Sequence, residues 1–248
     1  MFDDLRGKAV VVTGGVTGIG GAAARAFAGC GAKVLAQYFG GGPELAAVEA
    51  MGIATLRLDL RQRSAPEALM QAARDKLGRV DVLVNNAGSL VARVPLAEVT
   101  DAFMDEVFDL NCRQLVQCCR LGAALMRAQG GGAIINVSSI AARQGGSAGG
   151  AIYAGAKGFV SAFTKSIAKE LAGQNIRVNA VSPGTIHTAF HERFSSAEKR
   201  AATAKQIPMQ RLGQADECAG AFLYLASAAA SGYVTGQVLE VNGGQLMA

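Results

Sequence analysis

The chain has 248 residues, of which 50% are hydrophobic and 17% charged, and its formal net charge is +5 at pH 7. This length can bury a full core, so we expect one domain over residues 1–248 and, because no uncharged apolar run is long enough to span a bilayer, no membrane protein. The Lys and Arg residues are scattered and no basic run contains interleaved aromatic residues, which argues against nucleic-acid binding.

The amino-terminal segment combines a strand, a glycine-rich turn and a helix. Residues 8–13 are apolar and rich in β-branched side chains, which predicts a buried parallel strand. Gly14, Gly18 and Gly20 follow, and a run of small residues predicts a helix before a second strand over residues 33–38. A turn of this kind lets backbone N–H groups approach a pyrophosphate at the amino end of a helix. The segment therefore predicts a nucleotide site.

Further apolar segments predict a regular alternation of strands and helices. We place strands at residues 54–58, 80–84, 133–138, 176–181 and 237–241, with helices between them and long ones near 101–128 and 152–172. Crossovers of this length imply parallel neighbouring strands and right-handed connections. The predicted fold class is thus α/β.

Cysteines and histidines show no pattern typical of a metal site. The five cysteines have neither metal-ligand spacing nor the spacing of a disulfide framework. We interpret them as reduced thiols, and since no basic-then-apolar signal opens the sequence, we expect a cytoplasmic protein. His187 and His191 are spaced by four, but no third ligand lies at a useful distance, so we expect no metal.

Tyr153 and Lys157 stand four residues apart and carry the strongest chemical signal. In a helix this spacing places the phenol and the ammonium on one face. A neighbouring ammonium is expected to lower the pKa of the tyrosine from its usual value near about 10. The pair would then act as a general acid and base on a carbonyl or alcohol oxygen. An incidental pair on an ordinary helix is the alternative that this spacing alone leaves open.

Ser139 follows the predicted strand over residues 133–138. The carboxyl ends of parallel strands are where open α/β sheets place ligands. The Ser139 hydroxyl is therefore expected to bind the substrate oxygen as charge develops on it. The alternative is that Ser139 caps a turn and that Ser138 or Ser147 acts in its place.

In their order and spacing, these motifs resemble the classical short-chain dehydrogenase/reductase family from about Leu5 to Gly244. The matching pieces are Thr13-Gly14-x-x-x-Gly18-Ile19-Gly20, Asp59-Leu60, Asn85-Asn86-Ala87-Gly88, Asn111, Ser139, Tyr153-x-x-x-Lys157, Pro183-Gly184 and Thr188. The resemblance implies a single Rossmann-type, doubly wound domain with a mostly parallel seven-stranded sheet and helices on both faces. It also implies a nicotinamide cofactor and hydride transfer between a ketone and a secondary alcohol. Together with the apolar carboxyl-terminal region, it leads us to expect a homotetramer.

The resemblance also assigns roles to individual residues. It implies that Asn111 holds a water linking Lys157 to solvent, and that Lys157 also binds the ribose hydroxyls of the nicotinamide half. Asp59 is expected to contact the adenine with Leu60 beside it, although Asp59 could instead cap the following helix. Residues 186–208 correspond to a substrate lid. The other cofactor contacts that we expect are Gly14, Thr17, Gly18, Ile19, Gly20, Asn86, Ala87, Gly88, Tyr153, Ile186 and Thr188.

Cofactor choice is expected at the end of the second strand. An acid there favours NAD, whereas a basic residue there or just before Gly18 favours NADP. The sequence has Gln37, followed by Tyr38 and Phe39, and Thr17 precedes Gly18. We therefore place Gln37 near the ribose 2′ position and expect NADP or NAD, with a slight preference for NADP because nothing repels the phosphate.

The substrate is less clearly indicated. Within the family the chain resembles 3-oxoacyl-acyl-carrier-protein reductases, but Gly130 and Gln174 stand where those proteins tend to place basic residues for the acidic carrier. The lid is polar, and Arg143 lies four residues after Ser139, which favours a sugar, a polyol or a small hydroxy acid as the alternative. A non-catalytic nucleotide sensor is the alternative from another class. Such a protein would usually lose the Tyr/Lys pair or the glycine turn, and this chain keeps both.

Overall fold

A sheet of seven parallel strands forms the framework of the computed structural model, which describes residues 2–40 and 42–247. The strands in chain order are β1 (Ala9–Thr13), β2 (Lys33–Tyr38), β3 (Ala54–Arg57), β4 (Val82–Asn85), β5 (Gly132–Val137), β6 (Ile176–Pro183), β7 (Ile186–His187), β8 (Gly213–Gln214) and β9 (Val238–Val241). The sheet order is β3-β2-β1-β4-β5-β6-β9, and β7 and β8 form a separate short pair. This confirms the predicted doubly wound α/β architecture.

Helices cover both faces of the sheet. In chain order they are α1 (Gly18–Gly29), α2 (Glu44–Ala50), α3 (Ala65–Leu77), α4 (Asp101–Phe108), α5 (Gln114–Ala128), α6 (Ala141–Gln144), α7 (Ala151–Leu171), α8 (Ala189–Phe194), α9 (Ala197–Gln206), α10 (Ala215–Ala226) and α11 (Ala228–Ser231). Across the described ranges, no helix combines the length and the apolar character that crossing a membrane requires.

Strand β1 shows why the apolar runs form buried strands. Val10 and Val12 pack into one core cluster with Phe27 of α1 and Phe222 of α10. Val11 packs into a second cluster on the opposite face of the sheet. Because side chains alternate between the two faces, a strand buried on both sides is apolar at every position.

The long helix predicted over residues 101–128 is interrupted. Between α4 and α5 the segment Asp109–Arg113 is π-helical. Asn111 lies in this segment, and its side-chain Nδ2 donates to the carbonyl oxygen of Val107, 2.8 Å away. An amide that binds the carbonyl four residues back competes with the regular backbone ladder. The apolar periodicity of the sequence does not register such local competition.

The order of the strands reverses between β1 and β4. Strands β2 and β3 extend the sheet to one side of β1, whereas β5, β6 and β9 extend it to the other side of β4. A crevice forms at the carboxyl ends of the strands where such a reversal occurs. The fold therefore places a cleft next to the residues that follow β1, β4 and β5.

Candidate active site

A cleft of about 810 Å³ lies at this switch point and collects residues from both halves of the chain. Two predicted site residues lie behind its lining: Gly20 is buried under the glycine turn, and Asn111 is buried in the π-helical segment. The predicted site residues that line the cleft are Gly14, Thr17, Gly18, Ile19, Gln37, Asp59, Leu60, Asn86, Ala87, Gly88, Ser139, Tyr153, Lys157, Ile186 and Thr188.

The glycine turn is locked against the end of β4. A Cβ atom on Gly20 would lie 2.2 Å from the Gly14 carbonyl oxygen and 2.3 Å from Asn86 Nδ2, so only glycine fits. The Thr13 hydroxyl accepts from the backbone N–H groups of Asn86 and Ala87 at 2.9 and 3.0 Å. These bonds hold the amino end of α1 at the cleft, where its backbone N–H groups suit a pyrophosphate. The turn therefore fits a dinucleotide.

Gln37 does not expose its side chain next to the ribose 2′ position, contrary to the prediction from the sequence. Its side chain is buried, with the residue 2% exposed, and its Oε1 accepts from the Gly14 N–H at 2.9 Å. Its Nε2 donates to the Leu58 carbonyl oxygen at 2.6 Å. Because both ends of the amide are used inside the protein, the expectation that this side chain faces the ribose is corrected. Phe39, which is 51% exposed, lines this part of the cleft.

Asp59 lies at the cleft in an ion-pair network that sequence reasoning missed. Its carboxylate accepts from the Arg61 backbone N–H and from Nε and Nη2 of the Arg61 guanidinium, at 3.0, 3.0 and 2.8 Å. The remaining Nη1 donates to Glu106 at 3.1 Å, and the guanidinium lies 5.3 Å from the centre of the Phe39 ring. Arg61 holds the pKa of Asp59 below its usual range. Asp59 caps no helix, because α3 begins only at Ala65.

Residue spacing in the sequence could not have predicted that Glu106 takes part in this network, because Glu106 lies on α4, 45 residues beyond Arg61. Leu60 lies beside them and lines the cleft, but it is only 4% exposed and most of its side chain packs into the core. This end of the cleft thus contains two carboxylates and one guanidinium.

Tyr153 and Ser139 both line the cleft. Burial raises the pKa of Tyr153 to about 12, and the Ser139 hydroxyl opposes this rise. The phenol is therefore protonated throughout the physiological range. Ser139 Oγ also accepts from the Ala141 N–H at 3.1 Å, which fixes its position at the start of α6.

Lys157 lies below the tyrosine ring. Its Nζ donates to the Val137 carbonyl oxygen at 2.8 Å and lies 5.6 Å from the centre of the Tyr153 ring. Burial lowers the pKa of Lys157 to about 8. The expectation that the ammonium lowers the pKa of Tyr153 is corrected, since burial of the phenol raises this pKa instead.

The two alternative serines have other partners. Ser138 is buried, and its hydroxyl bonds to the Lys157 carbonyl oxygen and to Ser161 Oγ at 3.1 and 2.6 Å. Ser147 lies on the loop before α7 and accepts from Arg93 at 2.6 Å. Of the three serines, Ser139 is the one that opposes the rise in the Tyr153 pKa.

Asn111 approaches Lys157 from behind the cleft. Its Nδ2 donates to the Ser89 carbonyl oxygen at 2.8 Å, and its Oδ1 accepts from the Ser89 N–H at 3.2 Å. A Cβ atom on Gly88 would lie 2.6 Å from Asn111 Oδ1 and 3.1 Å from Lys157 Nζ. The two side chains converge on Gly88, which leaves no room for a side chain there.

The predicted lid over residues 186–208 consists of β7, α8 and α9. The Phe190 ring of α8 lies 5.9 Å from the Tyr153 ring, so this helix packs beside Tyr153. Seven further lid residues line the cleft, namely Ala189, His191, Arg193, Ser195, Lys199, Thr203 and Gln206. Arg143 does not line it, contrary to the expectation from the sequence: its Nη1 lies 3.9 Å from Glu240 Oε1.

Arg93 is a second residue that sequence reasoning missed. Its Nε donates to the Phe194 carbonyl oxygen of the lid at 2.7 Å. Its Nη1 donates to Ser147 Oγ and the Ala148 carbonyl oxygen at 2.6 and 3.1 Å. A signal was present, because Arg93 is the only charged residue between Asp81 and Glu98.

The histidines of the lid do not converge on a common point with other ligands. His187 lies 3.9 Å from Glu192, whereas burial and the charges of Arg93 and Arg200 lower the pKa of His191 to about 4. Within residues 2–40 and 42–247, no group of three or more His, Cys, Asp or Glu side chains is arranged to hold a metal ion.

Comparisons with known proteins agree with this geometry. A family model described as enoyl-(acyl carrier protein) reductase matches residues 14–245. The chain is 36% identical to a 3-oxoacyl-[acyl-carrier-protein] reductase of Synechocystis sp., over 98% of both chains. It is similar to the crystal structure of the NADH-dependent reductase A1-R′ complexed with NAD, with a TM-score of 0.87, 36% identity and full coverage of both chains. It is also similar to a 7α-hydroxysteroid dehydrogenase complexed with NADH and 7-oxo glycochenodeoxycholic acid, with a TM-score of 0.90 and 33% identity over 98% of this chain and 96% of that one.

Proposed function

Since the chain belongs to the short-chain dehydrogenase/reductase family and is an NAD(P)-dependent oxidoreductase that interconverts ketones and secondary alcohols, we propose that it acts on a small polar substrate through Ser139 and Tyr153. The observation that carries this proposal is the placement of both hydroxyl-bearing residues in one cleft, with Ser139 just beyond the carboxyl end of β5. A carbonyl oxygen placed between them would meet two donors at once.

Each polar group of the centre has a distinct task in this proposal. A nicotinamide bound in the cleft supplies or accepts the hydride. Tyr153 donates its hydroxyl proton to the carbonyl oxygen, and Ser139 stabilises the charge that develops there. The Lys157 ammonium stabilises the phenolate that remains, since its Nζ lies under the Tyr153 ring. Asn111 holds the Ser89 backbone and packs behind Lys157, where a water relay to solvent would begin.

The adenosine end of the cleft leads us to propose NAD as the better of the two cofactors. The sequence left NAD and NADP open, with a slight preference for NADP. Asp59 and Glu106 both bind Arg61, so this end carries one more negative than positive charge. A 2′-phosphate would have to compete with two carboxylates for the guanidinium, and like charges in a partly dry site repel strongly.

The polar lid and the absence of basic residues at Gly130 and Gln174 support a small polar substrate over a protein-bound acyl chain. We also propose a homotetramer in the cytoplasm. Exposed apolar side chains on α4 and α7, which are Met104, Phe108 and Phe159, support the assembly. The five free cysteines of the chain support the cytoplasmic location, because free thiols persist in a reducing compartment.

Replacing Tyr153 with Phe tests the proposed function. We expect Tyr153→Phe to lower the rate of ketone reduction by roughly two to four powers of ten, because the proton donor is lost. Cofactor affinity, measured by calorimetry, should change little. Tyr233→Phe is the matched control, since Tyr233 is fully exposed. A panel of sugars, polyols and oxo acids, assayed with NADH and NADPH at the nicotinamide absorbance band, supplies the substrate. If Tyr153→Phe keeps more than about a tenth of the rate, the assignment of the proton donor is wrong.

A further inference from the structure

The end of the cleft beneath the lid is lined by cations that have no acidic partner. Arg93, Arg193 and Lys199 line the same cleft as Tyr153. None of the three forms an ion pair with any carboxylate of the described ranges. The acidic side chains of the lining are Asp59 and Glu106, and both are bound to Arg61 at the adenosine end. Opposite charges are therefore separated along one cleft.

Arg93 is the most constrained of these cations. Its Nε and Nη1 donate only to neutral oxygens, those of Phe194, Ser147 and Ala148. Its Nη2 has no hydrogen-bond partner among residues 2–40 and 42–247. A partly buried guanidinium without an anion is costly unless a ligand compensates its charge. Because these hydrogen bonds hold Nε and Nη1 in place, Nη2 is already oriented, and little conformational entropy is lost when it binds an anion.

The loop and the lid converge on Arg93. Ser147 and Ala148 belong to the loop that leads into α7, the helix that carries Tyr153, whereas Phe194 ends α8 of the lid. Arg193 neighbours Phe194, with its guanidinium 5.2 Å from that ring. A group held by Arg93 would thus lie between α7, which carries Tyr153, and α8 of the lid.

We propose that Arg93, assisted by Arg193, binds a carboxylate of the substrate, so that the enzyme interconverts oxo acids and hydroxy acids. The inference rests on the proposed function, because it assumes that the reacting carbonyl meets Ser139 and Tyr153 in the same cleft. Arginine binds carboxylates through parallel charged hydrogen bonds, which become stronger where a lid excludes water. A neutral sugar or polyol would leave the charge of Arg93 uncompensated.

Paired substrates test the proposal. A series of oxo acids of increasing length is compared with the methyl esters and amides of the same acids, with wild type and with Arg93→Met. We expect wild type to prefer the acid over its ester by about ten- to hundredfold in kcat/KM, the effect of one charged hydrogen-bonded pair. Arg93→Met should remove this preference mainly through KM. Arg74→Met is the matched control, because Arg74 lies on α3 and does not line the cleft.

Arg93 also links the loop to the lid, so its loss could lower all activity. For this reason the readout is the acid-to-ester ratio, which a purely structural role would leave unchanged. Equal use of acid and ester by wild type, or an unchanged ratio in Arg93→Met, would overturn the inference while the proposed function stands. Better use of a phosphorylated ketone than of any oxo acid would also overturn it. A lack of turnover with every ketone would contradict the proposed function itself, and calorimetric titration of the same acids and amides would then decide whether Arg93 binds a carboxylate.

Discussion

Lys157 carries its charge in a buried position on α7, facing β5, and its Nζ donates a hydrogen bond to the Val137 carbonyl oxygen. Burial lowers its pKa from 10.5 to about 8. The ammonium is thus present at neutral pH and is lost as the pH rises through about 8. Tyr153 remains protonated over the same range, because its pKa is about 12. Lysine, rather than tyrosine, therefore sets the alkaline limit of the site.

We predict that the rate of ketone reduction falls as the pH rises through about 8, because the neutral amine no longer stabilises the phenolate that Tyr153 leaves behind. The measurement is the pH dependence of kcat between about pH 6 and pH 10. Lys157→Arg should be slower but should lack this decline, since a guanidinium keeps its charge throughout the range. A decline at the same pH in Lys157→Arg would show that another group is responsible.

Gln37 lies at the end of the second strand, as predicted, but its side chain holds the Gly14 turn rather than facing the ribose. We predict that Gln37→Asp lowers the free energy of unfolding by on the order of 1–3 kcal/mol, because a carboxylate buried at this position cannot donate to the Leu58 carbonyl oxygen. Affinities for NAD and NADP should fall together, since the substitution loosens the Gly14 turn that serves both. Urea denaturation and calorimetry with each cofactor are the measurements.

The control places the same carboxylate at the exposed neighbour Phe39, which lines the cleft. Phe39→Asp should shift the ratio of affinities toward NAD by about tenfold with little loss of stability. If Gln37→Asp shifted the ratio while stability stayed unchanged, its side chain would face the ribose after all.

At the scale of single residues, the sequence could predict the groups that share a local motif. Tyr153 and Lys157 share a helix, and Gly14, Gly18 and Gly20 share a turn, so spacing alone relates their positions. The partners of Gln37, Gly14 and Leu58, come from distant parts of the chain, and the Arg61 that binds Asp59 also binds Glu106 of α4. Hydrogen-bond competition of this kind depends on tertiary packing, and no local pattern encodes it.

The π-helical segment Asp109–Arg113 lies between α4 and α5, and its Asn111 side chain binds the loop that follows β4. We predict that Asn111→Leu destabilises the protein by on the order of 1–3 kcal/mol, because the backbone N–H and carbonyl groups of Ser89 lose their partners. Amide hydrogen exchange should rise in the peptide that spans residues 88–94, and urea denaturation gives the free energy.

The same substitution should raise KM for the substrate, since that loop carries Arg93. Cys112→Ser is a suitable control within the π-helical segment, as the Cys112 thiol bonds the Ala156 carbonyl oxygen and not the Ser89 backbone. Unchanged exchange in residues 88–94 of Asn111→Leu would mean that the segment does not support the loop.

At the scale of elements, the strands were the most predictable part of the fold. A strand buried on both faces must be apolar throughout, so β1, β4 and β5 are recognisable as short apolar runs. The break within residues 101–128 was not predictable, because α4 and α5 keep an ordinary helical pattern and the interruption centres on the side-chain bonds of Asn111.

For the whole molecule, the exposed apolar side chains bear on assembly. Phe159 is 39% exposed and stacks on Phe163, with 5.5 Å between ring centres. We predict a homotetramer of about 100 kDa by light scattering, four times the 25.4 kDa of one chain. Phe159→Lys should weaken the assembly, because a charge would be buried in an apolar contact. Lys165→Met, on the same helix, is the control. A monomeric mass for wild type at micromolar concentration would exclude the tetramer.

The bonds that the Asn86 and Ala87 N–H groups donate to the Thr13 hydroxyl also have a consequence for how the molecule forms. They join residues that are 73 and 74 positions apart, and each is a contact between β1 and the segment that follows β4. Closing so long a loop costs entropy before any contact repays it, and sheets built from distant parallel strands fold slowly. The glycine turn is therefore shaped only when the central strands have found one another. During refolding from urea, recovery of dinucleotide binding would report the completion of the central sheet rather than the folding of its first helix.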